Sequence, residues 1–205
     1  KEYDYEVSLG HSLGEFSALY SAGAIELGDA IKLVNTRGKL MKDAFKNIEG
    51  GMMVVLGLDD EKLETICAES GKRVWPANYN SDGQLVLAGA KDDLVEMESI
   101  IKGAGAKRTM LLNMSVASHC PLLESATIPL KELLQNSLKD SFKPVVSNVT
   151  AERYSTKKEA IELLANQLTK PVLYKQSVSN VADNVDMFIE FGGKVLMGIN
   201  RKITK

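Results

Sequence analysis

Gly10-His11-Ser12-Leu13-Gly14 sets a serine between two glycines. The apolar stretch YEVSL (5–9) precedes it and the alanine-rich EFSALYSAGAI (15–25) follows. G-x-S-x-G between a strand and a helix predicts a sharp bend that holds the serine at a strained backbone angle with its Oγ raised. Glycines at the flanks let the two arms approach without Cβ clashes. Backbone N–H groups at the helix start favour a developing oxyanion. A serine nucleophile needs a base. The chain has 2 histidines, His11 and His119. His11 adjoins Ser12 and would point to the other side of the bend, so His119 is the base by elimination. Spacing picks out no acid to orient the imidazole; a backbone carbonyl or an amide would serve as well as a carboxylate.

Arg37 is the second residue with chemical content. In GDAIKLVNTRGKLMKDAF the apolar positions Ala30, Leu33, Val34, Leu40, Met41 and Ala44 form one helical stripe, and Arg37 lies within it. A guanidinium stays charged and is costly to bury unpaired. Its anion is either an internal Asp or Glu, or a carboxylate on the substrate held bidentately. A hydrolase of neutral esters has no need of such a cation, whereas an enzyme handling a dicarboxylic acyl group does.

The elements that must position these residues follow from pattern. YEVSL reads as a short buried strand, with helices over about 14–22 and 29–46. Between 51 and 113 the order is β-α-β-β-α-β, with Asp59 and Asp60 opening the first helix and Ser81-Asp82-Gly83 turning the hairpin. Helices at about 121–138, 157–168 and 195–203 and strands at KPVVSNVT and VDMFIEFGG complete the chain. The fold class expected is α/β: a hydrolase-like core with a parallel sheet, made of 1–50 and 114–205, plus a small ferredoxin-like α+β insertion domain over 51–113.

The 205 residues, 44% hydrophobic and 25% charged, suit a globular domain with a good core. A net charge of -2 argues against a nucleic-acid partner. No apolar run suggests a membrane span, and no signal peptide is apparent. Cys67 and Cys120 are too few for a disulfide framework and fit a cytoplasmic protein.

Taken in order, several segments resemble the malonyl-CoA:acyl-carrier-protein transacylases of fatty acid synthesis. Gly10-His11-Ser12-Leu13-Gly14-Glu15 with Phe16-Ser17-Ala18-Leu19 is similar to the family's nucleophile segment, and Arg37-Gly38-Lys39-Leu40-Met41 to its substrate-arginine helix. Asn78 to Gln84, Ser115 to Cys120, Ser147 to Thr150, Asn166-Gln167-Leu168, Pro171-Val172 and Gly193 to Leu196 resemble its further motifs. The resemblance implies an acyl ester on Ser12, His119 as general base and then acid, and Arg37 gripping the free malonyl carboxylate. It places Gln167 near His119, where a main-chain carbonyl holds the imidazole, and Asn80 in the cleft between two domains. His11 and Leu13 join Arg37, Asn80 and Gln167 as substrate-binding residues. It implies malonyl-CoA and phosphopantetheinylated acyl carrier protein as substrates, no cofactor or metal, and a monomer.

The departures also carry expectations. The family's Gly-Gln-Gly-x-Gln-like loop, which supplies part of the oxyanion hole, has no counterpart here. The resemblance therefore implies a further segment ahead of Lys1 and predicts weak activity without it, since losing one oxyanion donor costs about 10²–10³ in rate. Glu190-Phe191-Gly192-Gly193-Lys194 is one residue shorter than the family's Glu-x-Gly-Pro-Gly-Lys, and 140–144 looks compressed. Val116-Ala117-Ser118-His119 resembles the branched-extender relatives, whereas Leu13 and the single-domain size resemble malonyl enzymes. The alternatives are a serine thioesterase or hydrolase, a methylmalonyl-type acyltransferase of polyketide synthesis, and a non-catalytic acyl-carrier-binding module. A lipase-like hydrolase usually places its histidine near the C-terminus after an Asp, unlike His119.

Overall fold

The computed structural model describes residues 4–204. The chain is a mixed α/β fold with two sheets, both antiparallel among the described residues. Helices α1 (Gly14–Ser21) and α2 (Leu27–Ala44) come first. The middle third holds β1 (Gly50–Leu56), α3 (Asp60–Glu69), β2 (Val74–Ser81), β3 (Gln84–Ala90), α4 (Lys91–Gly103) and β4 (Arg108–Leu111). A 3-10 turn (Pro121–Ala126) leads into α5 (Thr127–Ser137), then β5 (Ser141–Val146), β6 (Arg153–Thr156), α6 (Lys157–Asn166), α7 (Tyr174–Ala182) and α8 (Val195–Ile203).

The middle sheet has the order β2-β3-β1-β4. Its apolar strands follow from having two covered faces. Met53, Val55, Leu85 and Leu87 point to α3 and α4, where they meet Leu63, Cys67, Leu94, Met97 and Ile101. Met52, Val54, Val86 and Ala88 point the other way, into the cluster built by α1, α2, α5 and α6. Side chains alternate along a strand, so the run MMVV supplies both cores at once. The α3 start is as expected: Asp59 accepts from the Lys62 N–H at 3.1 Å and caps the helix.

Two expected strands differ. YEVSL is reduced to one parallel bridge, Ser8 with Val145, carried by Ser8 N–H to Pro144 O at 3.1 Å and Val146 N–H to Ser8 O at 2.9 Å. The regular parallel sheet is therefore absent among the described residues, because this stretch has one neighbouring strand to pair with. VDMFIEFGG is not a strand either. Met187, Ile189 and Phe191 are exposed, while Phe188 packs near Val172 and Tyr174. Apolar residues on both sides suit a central strand, but no strand lies beside it among the described residues. Conversely, β6 and α7 were not anticipated. β6 has only 4 residues. α7 is rich in Ser, Asn and Val, which are poor helix formers, yet its buried Tyr174, Ser177, Val178 and Val181 follow helical spacing.

Candidate active site

Ser12 sits at φ 54°, the left-handed region. Two features hold it there. Gly10 has no room for a side chain: a Cβ would lie 2.0 Å from the Gly14 carbonyl carbon and oxygen and 2.5 Å from the Glu15 nitrogen. Asn148, in the turn after β5, clamps the bend from the far part of the sequence. Its Oδ1 accepts from the Ser12 N–H at 2.7 Å and its Nδ2 donates to the Gly10 carbonyl at 2.6 Å. The two flanking glycines are thus unequal, since a Cβ at Gly14 meets nothing within 4 Å. Gly10→Ala should unseat the bend and cost more than about 3 kcal/mol, because backbone atoms would have to move. Gly14→Ala should be neutral or stabilising by up to ~1 kcal/mol. Thermal unfolding of both variants checks the contrast.

His119 lies in the loop before the 3-10 turn, also at positive φ, 61°. Buried Ala117 and Cys120 on either side pin the loop to the core. The Ser12 Oγ–H donates to His119 Nε2 at 2.7 Å. On the other side His119 Nδ1–H donates to the Gln167 main-chain carbonyl at 2.6 Å. A carbonyl can only accept, so the proton is on Nδ1 and the Nε2 lone pair faces the serine. The orienting group is therefore a carbonyl, and no carboxylate bonds the imidazole among the described residues.

Burial drives the His119 pKa from 6.5 down to about 3, with the Arg37 and His11 charges adding to the fall and the Gln167 carbonyl opposing it. The imidazole is neutral at pH 7 and available as a base. Burial raises the Glu15 carboxyl from 4.5 to about 7. The signs oppose. The native state refuses a proton at His119, so its contribution is full above pH 6.5 and is lost as pH falls towards 3. The native state retains a proton at Glu15, so its contribution is full below pH 4.5 and is lost as pH rises through 7. Between pH 4.5 and 6.5 they offset one another. His119→Gln should turn that flat window into stability that falls with rising pH, by up to about 1.4 kcal/mol per unit. Thermal midpoints from pH 4.5 to 7 measure it.

Arg37 is buried in the apolar stripe of α2 between Leu33 and Met41. Its Nη2 donates to Gln167 Oε1 at 3.1 Å, its guanidinium lies 5.4 Å from the Phe16 ring centre, and its buried Nε has no acceptor. No carboxylate is within ion-pair distance among the described residues, although Glu15 acts on it at longer range. Burial lowers the Arg37 pKa to about 10, which leaves it charged at neutral pH.

Gln167, at the C-cap of α6, is fully buried and joins these parts. Its main chain holds His119 and its Oε1 meets Arg37. Its Nε2 approaches the Ser12 carbonyl at 3.1 Å and Glu15 Oε2 at 2.7 Å. Leu13 is half exposed at the N-cap of α1. His11 does turn away from the Ser12–His119 pair. Its Nε2–H donates to Asn80 Oδ1 on β2 at 2.8 Å and its ring lies 5.1 Å from that of Tyr174. Asn80 thus ties the middle sheet to the bend.

Asn148, Glu15 and Tyr154 were missed as site residues. Glu15 accepts from the Tyr154 hydroxyl at 2.8 Å and the Asn148 N–H at 3.1 Å. An acidic residue in a first helical turn reads as a dipole partner, so only its place beside small and apolar residues hints at burial.

Residues 5–197 match the acyl transferase domain family. The chain is 42% identical over 200 residues to the malonyl CoA-acyl carrier protein transacylase of Escherichia coli strain K12, covering 95% of this chain and 64% of that protein. It is 41% identical to that of Haemophilus influenzae, covering 97% and 65%. The chain therefore spans less than two thirds of these relatives. Among solved structures it superposes on the malonyl-CoA:acyl carrier protein transacylase of Helicobacter pylori with a TM-score of 0.95 at 47% identity, covering 98% of this chain and 65% of that one. A malonyl-transacylase in complex with a type II PKS acyl-carrier protein gives 0.94 at 38% identity, covering 98% and 67%.

Proposed function

The chain belongs to the acyl transferase domain family, and from that premise we propose that it moves a malonyl group from malonyl-CoA to the phosphopantetheine thiol of acyl carrier protein. Ser12 carries the acyl group between the two. His119 Nε2 takes the Ser12 proton as Oγ attacks the thioester carbonyl. The Leu13 N–H receives the oxyanion. Collapse breaks the C–S bond, and the His119 proton goes to the departing CoA sulfur. In the second half His119 deprotonates the carrier thiol, the sulfur attacks the Ser12 ester, and the proton returns to Oγ. Each step is carried by this chain's own residues, so the scheme calls on no cofactor or metal.

The observation that carries this reading is Gln167. One residue holds the base through its main chain and the cation through its side chain. A carboxylate on Arg37 would thus be set at a fixed place relative to the serine. An un-neutralised buried arginine favours a dicarboxylic acyl group over the neutral ester of a hydrolase, and the malonyl relatives favour malonyl over a branched extender. His11 and Asn80 serve by holding the bend rather than by reacting. We also assign 51–113 as a ferredoxin-like insertion in an acyltransferase core of 1–50 and 114–205, which the strand order β2-β3-β1-β4 supports. One chain assembles the Ser12–His119–Arg37 site, so a monomer suffices. Two free buried cysteines suit the cytoplasm. No helix among the described residues is long and apolar enough to cross a membrane.

Brief exposure to malonyl-CoA should release free CoA and add one malonyl group to the intact mass. Adding phosphopantetheinylated carrier should remove it. Loss of the group to water alone would favour a thioesterase, and absence of any adduct would favour a binding module.

A further inference from the structure

Among the described residues Glu15 is the one fully buried carboxylate near the site, and the scheme above gives it no task. It accepts three hydrogen bonds: from the Tyr154 hydroxyl, the Asn148 main chain and the Gln167 side chain. The first two fix the carboxylate. The third has a directional consequence. A glutamine amide has one accepting end and one donating end, whereas an ionised carboxylate only accepts. Glu15 Oε2 therefore demands the NH2 end of Gln167, at 2.7 Å, and the opposite end, Oε1, is turned to Arg37 Nη2 at 3.1 Å. With the amide reversed, its oxygen would face a carboxylate oxygen and its NH2 a guanidinium, which can only donate.

We infer that Glu15 is a positioning residue: together with the Ser12 carbonyl at 3.1 Å and Asn148 Oδ1 at 3.3 Å, which accept from the same NH2, its carboxylate sets which way the Gln167 amide faces, and thereby sets how strongly Arg37 discriminates between acyl groups. The second half of this statement rests on the malonyl-transfer reading. The groups around the carboxylate are consistent with a setting role. Tyr154 from β6 donates to it, and Arg37 from α2 carries the nearest positive charge. His119 connects through the Gln167 carbonyl.

Glu15→Gln keeps the shape and removes the charged and shortest of the acceptors that hold the Gln167 NH2, leaving the Ser12 carbonyl, Asn148 Oδ1 and Arg37 to orient it. The ratio of malonyl to acetyl loading on the variant, from malonyl-CoA and acetyl-CoA by intact mass, should fall about tenfold, the size of one charge-assisted hydrogen bond. In wild type the assigned side-chain amide resonances of Gln167 should shift between pH 8 and pH 6, and that shift should vanish in Glu15→Gln. A folded variant with an unchanged loading ratio overturns the proposal. If the variant does not fold, an immobile wild-type Gln167 amide across that range overturns it. If wild type takes up no malonyl group, the transfer reading fails instead, while the amide titration still decides whether Glu15 governs Gln167.

Discussion

Ser12→Ala leaves no acyl adduct after exposure to malonyl-CoA and lowers turnover roughly 10⁶-fold, the loss typical of a serine nucleophile removed from a working unit. The geometry admits no substitute. The Ser12 hydroxyl is the group that donates to His119 Nε2 among the described residues. Cys120 adjoins the histidine, but burial pushes its thiol up to about 11, so it stays protonated in the core. The variant should remain folded, because the clamp on the bend uses the Ser12 N–H and the Gly10 carbonyl rather than the hydroxyl. A mass-shifted adduct on Ser12→Ala would refute the assignment of the nucleophile.

Arg37→Met lowers malonyl loading by about 10²–10³, the scale of two charge-assisted hydrogen bonds to a carboxylate. Acetyl loading, which offers no second carboxylate, should change little. Methionine keeps the stem that lies between Leu33 and Met41 and removes a buried charge whose Nε has no acceptor. Thermal stability should therefore change little, because relief of the buried charge is offset by leaving the buried Gln167 Oε1 without its donor. Comparative loading from malonyl-CoA and acetyl-CoA, together with unfolding curves, tests both parts. Unchanged malonyl loading would mean that the cation serves the protein itself, through Gln167 and Glu15.

Ser12, His119 and Arg37 were legible in the sequence for different reasons. The serine lies in a short motif whose neighbours are contiguous. The histidine is one of 2 in the chain. The arginine breaks an apolar stripe. Gln167 and Asn80 needed the family resemblance, since a glutamine at a helix end and an asparagine near a turn have no pattern of their own. Asn148, Glu15 and Tyr154 were not picked out because Asn148 reaches the bend, and Tyr154 and Asn148 reach Glu15, across more than a hundred residues of sequence. The β-α-β-β-α-β order was legible from alternation and turn residues. YEVSL and VDMFIEFGG were not, because their residues suit a strand but pairing partners decide whether one forms.

The middle sheet is fastened to the rest of the molecule by main-chain bonds as well as by packing. Tyr79 N–H donates to the Val172 carbonyl at 2.9 Å and Val172 N–H to the Ala77 carbonyl at 2.8 Å. Lys175 adds a link to Asp60 at 2.7 Å, and Asn80 one to His11. The two halves cannot swing apart like jaws without unzipping this seam and parting a shared apolar layer.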